Sequence, residues 1–184
     1  NISMAGDRAS QVDEAIDYAY ANGVVVVAAM GNYNGNASVQ PRYPACSDAN
    51  EIEPHVLGVS AVGQDRRLAY FSNTGTKCVD ITAPGVSINS LIRFAPESAL
   101  NETYKDNWQG TSFAAPFVSG AAALVKSAKP EWSAKEIYRA ILTTTHHTPS
   151  QDEEAYANLY GKGLLQVHRA VAYAQGRELP LTMF

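Results

Sequence analysis

From Ser112 to Val125 the chain reads SFAAPFVSGAAALV, a stretch of small and apolar residues with almost no polar face. A helix that is apolar on every side belongs inside a protein, so this segment predicts a buried helix. Pro116 falls in its first turn, where a missing N–H is no loss. A second strong segment is Gly23 to Ala29, rich in β-branched residues and apolar on both faces. Such a run reads as a parallel strand with helices on either side. Together the two segments predict an α/β architecture.

The remaining pattern agrees. Ser10-Gln11-Val12-Asp13 resembles a helix start, Val12, Ala15, Ile16 and Ala19 follow at helical spacing, and Asn22-Gly23 supplies a stop. Gly31 to Pro54 is crowded with Gly, Asn, Ser and Pro, the composition of a long surface loop of the kind that carries function or binds an ion. Val56 to Val62, Val79 to Thr82 and Val86 to Ile92 read as short strands, and Arg93 to Asn107 as a loop or hairpin. Ser133-Ala134-Lys135-Glu136 is a capping box, with Trp132 and Ile137 placed as its hydrophobic staple. Val167, Ala170, Val171 and Ala174 repeat the helical pattern before Gly176. No repeat or linker divides the chain, which reads as one domain.

With 184 residues, 46% of them hydrophobic and 17% charged, the chain has the makings of a sizeable core. A net charge of −4 and scattered Lys and Arg argue against a nucleic-acid partner. The longest apolar run, Val24 to Met30, falls far short of the roughly 18 residues of a membrane span. Asn1-Ile2-Ser3-Met4 shows neither the charged nor the apolar region of a signal peptide, so the N-terminus reads as cut and any targeting peptide as lying upstream. Cys46 and Cys78 are the two cysteines, open to two readings: one disulfide of a secreted protein, or two buried thiols.

Two segments carry candidate chemistry. Gly110-Thr111-Ser112-Phe113-Ala114-Ala115-Pro116 puts a serine at the mouth of the buried helix. A helix N-terminus offers unpaired N–H groups and a positive dipole end. The N–H of Ser112 is thus placed to donate to the oxyanion formed when its own Oγ attacks a carbonyl; the bland alternative is a capping serine. Ala28-Ala29-Met30-Gly31-Asn32 puts an asparagine after the C-terminal end of a central strand, where α/β folds place their sites. Its amide either donates to the same oxyanion or stabilises a turn.

These segments resemble the subtilase family. Gly110 to Pro116 is similar to its nucleophile motif, Gly-Thr-Ser, one residue, Ala, a small residue, Pro. Asn1 to Gly6 resembles the family's substrate-pairing strand and Val25 to Asn32 the strand ending in its oxyanion asparagine. Phe71-Ser72-Asn73, Ala83-Pro84-Gly85-Val86 and Gly161-Lys162-Gly163-Leu164 resemble further landmarks. The resemblance implies a three-layer, subtilisin-like fold with a mainly parallel sheet, residues 1–184 being the C-terminal portion of a single catalytic domain. It implies a secreted serine endopeptidase acting on polypeptides, with Ser112 as acylating nucleophile and Asn32 in the oxyanion hole. Substrate backbone would pair with Met4, Ala5 and Gly6, and Ala29, Met30 and Gly31 would wall the P1 pocket. Met30, larger than many relatives have there, either narrows that pocket or points into the core.

In subtilases the triad runs Asp, His, Ser, and the first two members lie upstream of the strand that here begins at Asn1. His55, His146, His147 and His168 occupy other positions and read as ordinary surface or structural residues. Phe117 replaces a histidine many relatives carry, one outside the triad. The resemblance thus implies that Asp and His come from an upstream segment or a separate chain, and that this chain alone is inert. Without its triad such a site keeps only roughly 1,000- to 10,000-fold acceleration over water. Cys46 and Cys78 flank a segment that some secreted subtilases clamp with a disulfide beside a calcium site. Asp80 is accordingly a calcium candidate, against a capping or ion-paired role. No cofactor is required for the chemistry, and no zinc motif appears. Two other classes compete: a non-catalytic subtilase-like module that holds peptides without cutting them, and an α/β-hydrolase esterase. The absent second glycine of a Gly-x-Ser-x-Gly elbow counts against the latter.

Overall fold

The computed structural model describes residues 1–49, 53–152 and 158–177. In chain order these form α1 (Ser10–Ala21), β1 (Val27–Ala29), β2 (Leu57–Val62), β3 (Ile81–Pro84), β4 (Ile88–Leu91), β5 (Tyr104–Trp108), α2 (Thr111–Ala128), α3 (Ala134–Thr143) and α4 (Val167–Ala174). Strands β1, β2 and β3 make a parallel sheet in that order, Val27 opposite Leu57 and Val59 opposite Ile81. Single parallel bridges extend it on either side, Ile2 to Ala28 and Leu164 to Thr82.

Every residue of β1 and β2 is buried, and the alternation of strand side chains divides the core in two. Val27 and Ala29 face a cluster with Leu57, Ile81, Val118, Ile141 and Ala170, to which α2, α3 and α4 contribute. Val26, Ala28 and Met30 face the opposite cluster, with Ile16 of α1, Cys46 and Cys78. Helices, sheet and a second covering layer are the three layers of the expected fold. The capping box of α3 forms as read: Ser133 N–H donates to Glu136 Oε2 at 2.7 Å and Glu136 N–H to Ser133 Oγ at 3.4 Å.

Several local expectations shift. Ser10 opens α1 without capping it; Ala9 holds the cap position and no side chain bonds there. The third strand starts at Ile81, two residues beyond Val79, which is buried beside Cys78 in the second cluster instead. Residues 88–108 close into an antiparallel hairpin of β4 and β5. The described part of the Gly31 to Pro54 loop is tied to the rest of the chain at several points. Asn34 N–H donates to the Phe71 carbonyl (2.8 Å), Thr74 N–H to Gly35 (2.9 Å) and Ala37 N–H to Thr74 (2.6 Å). Further on, a Cys46–Cys78 disulfide ties it down, which decides between a bridge and two thiols.

Helix α2 is the main departure. Ala114, Ala115, Val118, Ala121, Ala122 and Val125 are buried, but Phe117 is 43% and Leu124 53% exposed. Pro116, Gly120 and Ala123 share that open face. The apolar residues stand where the pattern put them, and among the described residues no element covers this side.

Candidate active site

The C-terminal end of β1 and the N-terminus of α2 meet, and Thr111 joins them. Its backbone N–H and its hydroxyl each donate to Asn32 Oδ1 at 2.9 Å, and its Oγ1 accepts the N–H of Gly31 at 3.0 Å. A backbone N–H can only donate, so the atom it meets has to be the oxygen of Asn32. That fixes the amide's orientation and leaves Nδ2 as a donor with no acceptor among the described residues. A Cβ added to Gly110 would stand 3.2 Å from Asn32 Nδ2 and 3.7 Å from the backbone nitrogen of Ser112. The two donors therefore border one small space, open because residue 110 is glycine, here at φ 147°.

Ser112 does not cap its helix; Gly110 holds that position and no side-chain cap bond forms. The Ser112 hydroxyl donates to the Ser3 carbonyl at 3.1 Å, and the Ser3 hydroxyl donates back to the Ser112 carbonyl at 2.9 Å. The reciprocal pair pins the first-turn serine against the N-terminal segment. No imidazole among the described residues bonds to Ser112. His55 Nδ1 is paired with Asp17 (2.8 Å) and its ring stacks on Tyr20, His147 is paired with Asp152 (2.8 Å), and His146 bonds through its backbone to Leu164.

Of the substrate-pairing residues read from the sequence, Met4 is 72% exposed. Ala5 lies across from Gly31, whose added Cβ would stand 3.1 Å from the Cβ of Ala5. Gly6 has to be corrected. Its N–H donates to the Tyr43 carbonyl (2.9 Å) and its carbonyl accepts from Tyr43 N–H (3.0 Å), so both its backbone groups are already paired within the chain. Ala29 and Met30 are buried on opposite sides of the sheet. The Met30 sulfur lies 3.0 Å from where a Cβ on Gly58 would stand, so its side chain takes the core placement, the second of the two left open. At these positions only main chain and Gly31 remain to border a cleft.

Asp80, the calcium candidate, is a buried carboxyl bonded to the sheet. Its Oδ2 accepts the N–H of Gly58 at 2.7 Å. Burial pushes the carboxyl up to about 8, the Gly58 bond pulls it down, and Asp48 raises it further. Among the described residues no group of three His, Cys, Asp or Glu converges beside it.

Sequence reasoning misses three residues that bind the site together. In the sequence Thr111 and Ser3 stand only as parts of longer blocks, and Asn73 only as a landmark. Asn73, 2% exposed, donates from Nδ2 to the Met30 carbonyl at 2.8 Å and accepts at Oδ1 from Tyr33 N–H (3.0 Å) and Gly35 N–H (2.9 Å). Their partners lie 38 to 109 residues away in sequence, beyond the reach of local spacing.

Fold and site together describe a three-layer α/β protein built around a serine in the first turn of its central helix, with an asparagine amide locked beside it. The chain belongs to the subtilase family, whose family model matches residues 1–163. It is 36% identical over 172 residues to Subtilisin DY of Bacillus licheniformis, covering 92% of this chain and 55% of that protein. With Subtilisin E of Bacillus subtilis (strain 168) it shares 33% identity, covering 92% of this chain and 40% of that protein. Among solved structures it is similar to a protease from Pseudoalteromonas arctica PAMC 21717, with a TM-score of 0.78 at 32% identity over 95% of this chain and 50% of that one. It is also similar to the prenylagaramide maturation protease PagA, with a TM-score of 0.75 at 25% identity over 97% and 62% of the two chains. The chain spans about half the length of the curated relatives it matches. Among the described residues no helix is long and apolar enough to cross a membrane.

Proposed function

We propose that these residues are the nucleophile-bearing, C-terminal portion of a single catalytic domain of a secreted serine endopeptidase, which cleaves polypeptides through an acyl-enzyme on Ser112. The observation that carries this reading is the pair of donors, Asn32 Nδ2 and Ser112 N–H, bordering one space next to the Ser112 hydroxyl. A substrate strand lies along Met4 and Ala5 and presents its scissile carbonyl there. The Ser112 Oγ attacks the carbonyl carbon, the hydroxyl proton passes to a histidine, and the carbonyl oxygen, now negative, accepts from Asn32 and Ser112. Collapse of the tetrahedral species expels the amine, which takes that proton, and water then hydrolyses the ester by the same route.

The histidine and its aspartate belong to a segment upstream of Asn1, carried on the same polypeptide or on a companion. That segment covers the open face of α2 at Phe117 and Leu124 and pairs with the sheet edge at Ile2. Without it the Ser112 hydroxyl rests on the Ser3 carbonyl and the chain is inert. Nucleophile, donors and proton carrier are all protein groups, so the reaction calls on no cofactor. The Cys46–Cys78 bridge supports an oxidising, extracellular setting.

The test is fluorophosphonate labelling and casein hydrolysis by the protein complete with its upstream segment, beside the 184-residue chain alone. We expect one adduct on Ser112 in the complete protein and none in the chain. Turnover should be lost in Ser112→Ala and cut roughly 100- to 1,000-fold in Asn32→Ala. A folded complete protein that neither labels nor cleaves would overturn the enzyme and leave a module that holds peptides.

A further inference from the structure

We infer that Asn73 is a positioning residue for the oxyanion site, setting the backbone on both sides of Asn32 and through it the direction of the Asn32 amide. The inference rests on the oxyanion reading of Asn32. The Met30 N–H still donates to the Val59 carbonyl of β2 (3.1 Å), but residues 31 to 35 form no regular ladder: Gly31 has φ 96° and Asn34 φ 51°, two left-handed positions in four residues. A backbone bent this way has N–H and carbonyl groups pointing where no neighbouring strand can meet them, and buried they need partners. Asn73 supplies these from both its side chain and its main chain. The Met30 carbonyl accepts from its Nδ2, the Gly31 carbonyl from its backbone N–H (3.0 Å), and the N–H groups of Tyr33 and Gly35 both donate to its Oδ1. The residues before and after Asn32 are thus bonded to one buried side chain, while Asn32 itself bonds to Thr111.

Asn73 is in turn anchored to the sheet, its carbonyl accepting from the Ser60 hydroxyl of β2 at 2.7 Å and from its neighbour Ser72 at 3.2 Å. The division of labour follows. Thr111 orients the amide at its tip and Asn73 fixes the backbone from which it projects. Only a short side-chain amide fits this role: two acceptor bonds and one donor bond are needed at once. Aspartate keeps the acceptors but lacks the donor, and alanine lacks both.

The test is a double-mutant cycle in the complete protein, read as kcat and KM on a peptide substrate and normalised to folded enzyme by circular dichroism. Asn73→Ala should lower kcat by about 10- to 100-fold with KM held within about threefold, as for a catalytic donor displaced by part of an ångström. In an Asn32→Ala background the same substitution should cost less than about threefold, because the group it positions is gone. Asn73→Asp should fall between wild type and Asn73→Ala, and it carries the cycle if the alanine variant does not fold. Equal losses in the two backgrounds, or an unchanged kcat in a folded Asn73 variant, would overturn the inference. An Asn32→Ala enzyme with wild-type kcat would instead overturn the oxyanion reading itself.

Discussion

Replacing Asp80 by asparagine separates the two roles that a buried carboxyl at this position can have. The amide oxygen of asparagine accepts the Gly58 N–H, a 2.7 Å bond in the parent, so ionisation is the main thing that changes. Burial is the largest cause of the rise of the Asp80 carboxyl from 3.8 to about 8; the Gly58 bond opposes it, Asp48 adds to it and Lys162 opposes it. At pH below 3.8 both folded and unfolded chains hold the proton and the group is neutral in its effect. Between that value and about 8 the unfolded chain gives the proton up while the folded one keeps it, so stability falls as pH rises and levels off above about 8. At about 1.4 kcal/mol for each pH step the upper bound is on the order of 5 kcal/mol. Relaxation and water entry lower such figures, so about 2 to 4 kcal/mol is expected. For a protein of this size that is a Tm difference of about 5 to 15 °C at pH 8 in favour of Asp80→Asn, closing to nothing at pH 4. Calorimetry of both proteins from pH 4 to 9 measures it. A gap that does not widen with pH refutes the reasoning. A variant less stable than the parent at pH 8, with calcium restoring only the parent, would reinstate a cation-bound carboxylate.

Thr111→Val keeps the shape of the side chain, removes the hydroxyl's bond to Asn32 while leaving the backbone one, and strands the Gly31 N–H. We expect kcat to fall about tenfold, with KM nearly constant, and steady-state kinetics showing an unchanged kcat would count against the orienting role. Tyr138→Phe removes the hydroxyl that accepts from Val26 N–H at 2.9 Å and lies 3.0 Å from the His55 carbonyl. A buried N–H without a partner should cost about 1 to 3 kcal/mol in urea unfolding; a loss below about 0.5 would mean that water takes the vacant place. Replacing both Cys46 and Cys78 by serine opens a loop with a sequence separation of 32 and should cost about 3 to 4 kcal/mol on the chain-entropy account. Thermal unfolding that moves by less than a degree or two would contradict it.

Much of the fold is legible because burial leaves a local trace. The both-faced apolar run at Val24 to Met30 reads as a covered strand, and from Val26 to Met30 its alternate residues do enter two different cores, although Val24 is exposed and the strand itself is only Val27–Ala29. The Ser133–Glu136 box is a three-residue arrangement whose two bonds form from neighbours alone. The segments holding Ser112 and Asn32 are recognisable for the same reason, since each is a short string at the end of an element. Local strings do not report what stands opposite them. Gly6 reads as free backbone until Tyr43 is found paired to it, and Met30 has two possible directions until the sheet's two faces are assigned. The all-round apolar character of Ser112 to Val125 states that the helix is meant to be covered, without naming the cover. Composition and periodicity by themselves determined an α/β chain with a covered strand, a buried helix and a capped one, because hydrophobic burial and capping act over a few residues; the layers and the roles of the two candidate segments came from the family resemblance. Only the tertiary structure decided that Thr111 bonds Asn32, that Asn73 bonds the backbone around it and that Asp80 is buried against Gly58. Hydrogen-bond direction and desolvation belong to contacts between segments tens of residues apart, and these exist only once the chain has folded.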